Sequence, residues 1–160
     1  MLKTYEAILD RLDEMHRAIK EVIDGLPPEA LDWSPAPDMN SLSVLVVHLT
    51  GAERYWVGDV VQGTPSFRDR DAEFRAKGLT ADSLKQRLTE LEAYEHQVMQ
   101  DMQLSQLEEE RLSPRDGRKY TVAWALAHAL EHSGVHVGHL QILSQMWKQG
   151  QGGAPNKSTS

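Results

Sequence analysis

The sequence contains no cysteine. No disulfide can staple the fold, no thiolate can ligate a metal, and no protein thiol can serve as a nucleophile. Excess positive charge is missing too. Lys and Arg number 17 against 24 Asp and Glu, giving a net charge of -7 with histidine neutral. A chain without surplus cations cannot neutralise many phosphates, which argues against general nucleic-acid or anionic-membrane binding. No apolar run approaches the ~18 residues of a membrane span. The opening residues, Met1 to Glu6, lack the apolar core of a signal peptide, so a cytoplasmic location is expected. Alternating strand patterns, a phosphate-binding glycine loop and a Ser-His-Asp arrangement are also absent.

Helical periodicity is what the chain does have, and 160 residues fit one domain with a sizeable core. Tyr5, Leu9, Leu12, Met15, Ile19, Val22 and Ile23 recur at helical spacing until Gly25 and the Pro27-Pro28 pair stop them. After a loop over 29–39, Asn40 is expected to cap a second helix at about 41–62. Its stripe is Leu42, Leu45, Leu49, Ala52, Trp56 and Val60. The charged stretch Ser66 to Gly78 has the length of a crossover, and Arg68, Asp69, Arg70, Asp71, Glu73 and Arg75 read as a solvated connector. Thr80 caps a third helix carrying Leu84, Leu88, Leu91, Val98 and Met102. A polar connection over 113–119 leads to a fourth helix at about 121–148. The Gly- and Ser-rich residues 149–160 read as a disordered tail. Four long amphipathic helices and no strand signal predict an all-α fold, a four-helix bundle over 1–148.

Four of the seven histidines lie in the fourth helix, at His128, His132, His136 and His139. Chance placement would give roughly 0.3 pairs at i, i+4; the run 128, 132, 136 supplies two. Imidazoles one turn apart point the same way and can share a cation, and zinc, nickel, copper and iron all accept them. Set at 100° per residue against Val122, Ala125, Leu126, Ala129, Leu140, Leu143 and Trp147, His136 falls within the apolar face and His132 at its edge. His128 and His139 sit further round. His132 and His136 are therefore the expected pair of metal ligands, and a third must come from another helix. His48, embedded in Val44-Leu-Val-Val-His-Leu49, is the leading candidate, because a buried imidazole needs a partner. His16 also lies near an apolar stripe and stays as an alternative. His96, between Glu95 and Gln97, reads as surface.

The stretch Leu126-Ala-His-Ala-Leu-Glu-His-Ser-Gly-Val-His-Val-Gly-His-Leu140 resembles the closing signature of DinB-like proteins. That group also takes in thiol-dependent transferases such as bacillithiol transferases and mycothiol-dependent maleylpyruvate isomerases. Leu31-Asp-Trp-Ser-Pro-Ala-Pro-Asp-Met-Asn-Ser-Leu42 is similar to the family's loop before helix two, and His48-Leu-Thr-Gly-Ala-Glu-Arg-Tyr-Trp56 to its first histidine motif. The resemblance spans about residues 5 to 147. It implies an up-down-down-up bundle and a divalent metal, zinc or nickel, on the histidines matching His48, His132 and His136. The chain departs from the pattern at His136-Val-Gly-His139, where many members read His-Arg-Gly-Gln. His139 is then a substitute polar group near the metal.

Three protein ligands leave an open coordination position, as catalytic metals do. With no cysteine in the chain, a thiol nucleophile must arrive as a small molecule. The first expectation is therefore a metal-dependent transferase of a low-molecular-weight thiol onto a small electrophilic substrate. In that reading His128 and His139 move protons and Tyr55 shapes the pocket. Glu53 and Glu131 are candidate acceptors for imidazole N–H, weighed against plain solvation. The alternatives are a metal-dependent hydrolase that draws hydroxide from the metal, and a binding protein without turnover. Trp124, Val135 and Ile142 lie opposite the core-facing side of the fourth helix and predict a homodimer.

Overall fold

The computed structural model describes residues 1–152. Its four long helices are α1 (Lys3–Ile23), α2 (Leu42–Glu53), α3 (Ala81–Gln100) and α4 (Val122–Gly152). α2 continues without interruption into a π-helical segment, Arg54–Gln62. Residues 153–160, the greater part of the expected tail, lie outside the described residues. Among the described residues, no helix is long and apolar enough to cross a membrane.

α1 and α2 occupy opposite corners of the bundle, each packed against both α3 and α4. Side-chain contacts fix the directions. Tyr5 donates to the Gln103 carbonyl just past α3 (2.9 Å), while Lys85 at the start of α3 pairs with Asp24 just past α1 (2.8 Å), so α1 and α3 are antiparallel. Arg87 donates to Thr50 (2.7 Å), and the Arg54 guanidinium lies 4.0 Å over the Tyr94 ring, so α2 and α3 are parallel. His48 meets His132 and His136 while Trp56 meets Trp124, so α2 and α4 are antiparallel. The result is an up-down-down-up four-helix bundle. Two successive parallel helices require the chain to travel back along the bundle, which is why α2 and α3 are separated by a long link rather than a hairpin. Gly63, left-handed at φ 75°, closes α2 and starts that return.

Local chemistry sets most of the ends. Thr80 accepts from the Ser83 amide while Ser83 accepts from the Thr80 amide, both at 3.1 Å, closing a reciprocal cap on α3. α2 is capped one residue later than expected. Ser41, not Asn40, accepts from the Val44 amide (3.3 Å). Two short strands, β1 (Glu110–Leu112) and β2 (Lys119–Thr121), flank the polar connection, although no strand was expected. They pair antiparallel with Arg111 opposite Tyr120. Three residues per strand are too few for an alternating pattern to register.

The interior is divided along its length. One apolar cluster joins Tyr5, Leu9, Leu12, Trp56, Val57, Met99 and Leu126 near the β1–β2 hairpin. A second joins Ile19, Ile23, Leu45, Leu49, Leu88 and Leu140 toward the other end. Between them every helix contributes a buried polar residue: His16, Glu53, Glu95 and Ser133. Trp33, in the loop before α2, sits edge-on against Trp147 at 5.8 Å.

Candidate metal centre

His48 is buried in α2, and its Nδ1 lies 3.0 Å from Oε2 of Glu73. Arg68 holds Glu73 from behind with two donors, Nε to Oε1 at 2.6 Å and Nη2 to Oε2 at 2.7 Å. Burial alone would raise the Glu73 pKa, but the hydrogen bonds and charges of Arg68 and His48 hold it below the usual carboxylate value. An ionised carboxylate on Nδ1 fixes the ring and its tautomer, leaving the Nε2 lone pair free. Gly51, one turn from His48, makes this possible, since a Cβ there would run into the Glu73 carboxylate. The charged run of the crossover is thus only partly the solvated connector that its composition suggests. Arg68 and Glu73 are drawn inward because the turn Arg70–Glu73, capped by Asp69, packs on α2. Sequence reasoning missed both residues, and the one local sign of a turn there was Asp69 at its cap position.

α4 brings His132 and His136 to the same place. Their Nε2 atoms are 3.2 Å apart, close to the edge of a tetrahedron of nitrogens around zinc, about 3.3 Å for bonds of about 2.05 Å. The ring centroids of His132 and His136 lie 5.2 and 5.1 Å from that of His48, and one ligand nitrogen from each of the three falls within 4.8 Å of the others. Burial and the neighbouring His136 and His48 lower the His132 pKa to about 3. Burial and His48 lower that of His136 to about 4. Both rings are therefore neutral at physiological pH with lone pairs available. Their Nδ1 atoms, buried, find no hydrogen-bond partner. Three converging imidazoles, two of them uncharged and half-buried, fit a divalent ion of the zinc or nickel type.

The other expected residues separate into those beside this trio and those elsewhere. His128, partly exposed, stacks on Trp124 (4.9 Å, 13° between planes), and its centroid is 6.0 Å from His132. His139, exposed, lies 5.6 Å from His136. Glu131 is on the surface, 3.8 Å from His128. Tyr55 is buried, its hydroxyl bonded to Ser113 at 2.7 Å and accepting from the Arg115 amide, with the Arg68 guanidinium 6.0 Å from its ring. Glu53 is neither solvated nor bonded to His48; it bonds His16 and Ser133. His16 accordingly belongs to a different cluster from the trio. His96 is at the surface as expected, paired with Asp13. Behind the Arg68–Glu73 pair lies a cleft of about 610 Å³, lined in part by Arg54, Arg87 and Tyr94.

Known structures share this architecture. YfiT from Bacillus subtilis, described as a probable metal-dependent hydrolase with an unusual four-helix bundle topology, matches with a TM-score of 0.73 at 18% identity, over 92% of this chain and 90% of its own. A DinB-like protein from Bacillus cereus matches with a TM-score of 0.73 at 15% identity, over 89% and 92%. A conserved protein from Enterococcus faecalis matches with a TM-score of 0.76 at 13% identity, over 91% and 98%. At such identities the likeness shows the fold alone. No curated protein matches the chain. The family model for mycothiol S-transferases, however, matches residues 7–148, nearly the whole described bundle, and the chain belongs to that DinB-like family.

Proposed function

We propose that the protein transfers a low-molecular-weight thiol, mycothiol in the first instance, onto a small electrophilic substrate, with a divalent metal held by His48, His132 and His136. The observation that carries this reading is the convergence of three imidazoles in a chain without cysteine. When bound there, the metal supplies Lewis acidity, which favours the ionised form of a thiol placed beside it. The chain's own residues do the rest. Glu73 and Arg68 hold the His48 ring in one orientation. His128 and His139 flank the trio and are the groups placed to take up the thiol proton. In the balanced reaction a sulfur–carbon bond forms, the bond from carbon to the leaving group breaks, and the thiol proton passes to solvent through one of these rings. The nearby cleft has the volume of a small-molecule site.

The test is conjugation of mycothiol to monobromobimane by zinc- or nickel-loaded protein. Metal-dependent thioether formation that disappears in His136→Ala is expected. Turnover of an ester or amide without any thiol would instead establish the hydrolase reading, which the same donor set suits and which the description of YfiT favours for that protein. Activity of neither kind would leave a metal-binding protein. A homodimer through α4 completes the proposal. Val135 and Ile142 are 52% and 56% exposed on one side of that helix, whereas Trp124 already stacks on Tyr120 and His128. A monomeric mass by sedimentation would remove the dimer from it.

A further inference from the structure

The polar layer that splits the core has chemistry of its own. His16 of α1, Glu53 of α2, Glu95 of α3 and Ser133 of α4 meet there, none more than 1% exposed. His16 Nε2 lies 2.6 Å from Glu53 Oε2, and Ser133 donates to Glu53 Oε1. One ligand atom each from His16, Glu53 and Glu95 falls within 4.8 Å of the other two. The Glu95 carboxyl group ends in this space with no basic or amide donor on either oxygen, its neighbour being the carboxyl group of Glu53. His16 Nδ1 lacks a hydrogen bond, its nearest acid, Glu92, being 3.5 Å away. Buried polar groups are rarely left poorly partnered, and here a carboxyl group is partnered only by another acid. A layer built from side chains on facing helices, with one imidazole and two carboxyl groups, is the kind of donor set with which bundles hold redox-active or Lewis-acidic cations. Oxygen-rich sets of this kind suit manganese and iron better than the all-nitrogen trio does.

From this we infer that the bundle carries a second, interior cation site, formed by His16, Glu53 and Glu95 with Ser133 beside it, for a divalent ion of the Mn²⁺ or Fe²⁺ class. It shares no ligand with the His48–His132–His136 trio and does not depend on the thiol-transfer reading. The charge balance is consistent. Burial alone would lower the His16 pKa, but Glu53, Glu92 and Glu95 outweigh it and bring the value to about 10. Burial and the neighbouring Glu53 raise the Glu95 pKa well above the ordinary carboxyl value. His16 therefore carries a proton in the metal-free layer, and Glu95 is shifted toward its neutral form. A divalent cation binding there competes with protons for these ligands, which limits the net charge brought into the core.

Binding of Mn²⁺ to the full chain in a His136→Ala background, where the trio is disabled, tests the site. Bound Mn²⁺ is counted by electron paramagnetic resonance after gel filtration. About one ion per chain is expected, with a rise in melting temperature on adding Mn²⁺. Adding Glu95→Gln, a near-isosteric and neutral change, should weaken uptake at least tenfold and abolish the thermal shift. His16→Gln provides a second variant at a different ligand, and His136→Gln a second background should the alanine fold poorly. No Mn²⁺ uptake in the His136→Ala chain, or uptake unchanged by both Glu95→Gln and His16→Gln, overturns the inference. The first outcome would mean a layer satisfied by water and the second adsorption to surface carboxylates.

Discussion

The bundle turns histidines inward at two places, three at the trio and His16 alone in the interior layer, and their charge differs. At the trio, His132 and His136 are half-buried among other imidazoles, and burial together with that like-charged company holds them neutral, at about 3 and about 4. In the interior layer, His16 is wholly enclosed, yet carboxylates on α2 and α3 overcome its burial and keep it protonated to about 10. Burial alone does not decide the charge of a histidine; the groups facing it do. The same residue type thus serves as a ready lone-pair donor at the half-buried trio and as a compensating cation at the bundle's centre.

That contrast predicts where each variant hurts. The largest effect belongs to His16. Replacing it with leucine removes the charge that balances Glu53 and leaves carboxyl groups buried without it, a loss of about 3–5 kcal/mol in the unfolding free energy. Urea denaturation of the metal-free protein measures it. A loss under about 1 kcal/mol would mean that His16 is not the compensating charge.

At the trio the cost should fall on metal rather than on the fold. His136→Ala removes a direct ligand and should weaken zinc or nickel binding beyond the ~10–100-fold that supporting partners command. The unfolding free energy of the metal-free protein should change little, because His136 has no hydrogen bond except to His132. Isothermal titration with zinc, set beside urea denaturation, reads both. A variant that binds metal as wild type does would remove His136 from the site. Next in size is Glu73→Gln, which keeps the shape but drops the charge on His48 Nδ1, with an expected loss of about 10–100-fold in metal affinity. Unchanged affinity there would show that the Arg68–Glu73 pair merely seals the crossover.

The two sets were also unequally legible in the sequence. His132 and His136 announce themselves because a single helix repeats them at i, i+4, and His48 because it interrupts an apolar run. The interior layer is spread one residue per helix, so no local window contains it. Its trace is a polar residue at a stripe position in each helix: His16 between Leu12 and Ile19, Glu53 beside Leu49 and Trp56, Glu95 between Leu91 and Val98, and Ser133 between Ala129 and Leu140. Each reads singly as an imperfection of an amphipathic pattern, and only tertiary packing shows that the four coincide. Glu73 and Arg68 were hidden for another reason. A charged run is solvated unless a specific ion pair draws it inward, and that pair closes only once the crossover lies against α2. The bundle itself was legible because periodicity and chain breaks are local, and the up-down-down-up order agreed with the length of the crossover. The Ser41 cap and the three-residue strands were lost to the one-residue precision that pattern reading lacks.

The effect that is smallest over any one unit of pH, and the finest test of the comparison, is the pH dependence of stability in the metal-free protein. His16 has a folded-state pKa above its unfolded value of about 6.5, so its contribution is complete below pH 6.5 and is lost as pH rises through about 10. Glu95, raised as well, adds to the loss on the same side, from its ordinary carboxyl range upward. His132 and His136 have folded values below 6.5. Their contribution is therefore present above pH 6.5 and is lost as pH falls toward about 4 and about 3. Stability should decline on both sides of neutrality for separate reasons, with a slope from any one group no steeper than about 1.4 kcal/mol per pH unit. Thermal melts from pH 4 to pH 10 separate the two. His16→Leu should flatten the alkaline side and leave the acid side, and His132→Ala with His136→Ala should do the reverse. If one variant flattened both sides, the two sets would titrate as a single coupled network, and the division between an open neutral trio and an enclosed charged layer would fail.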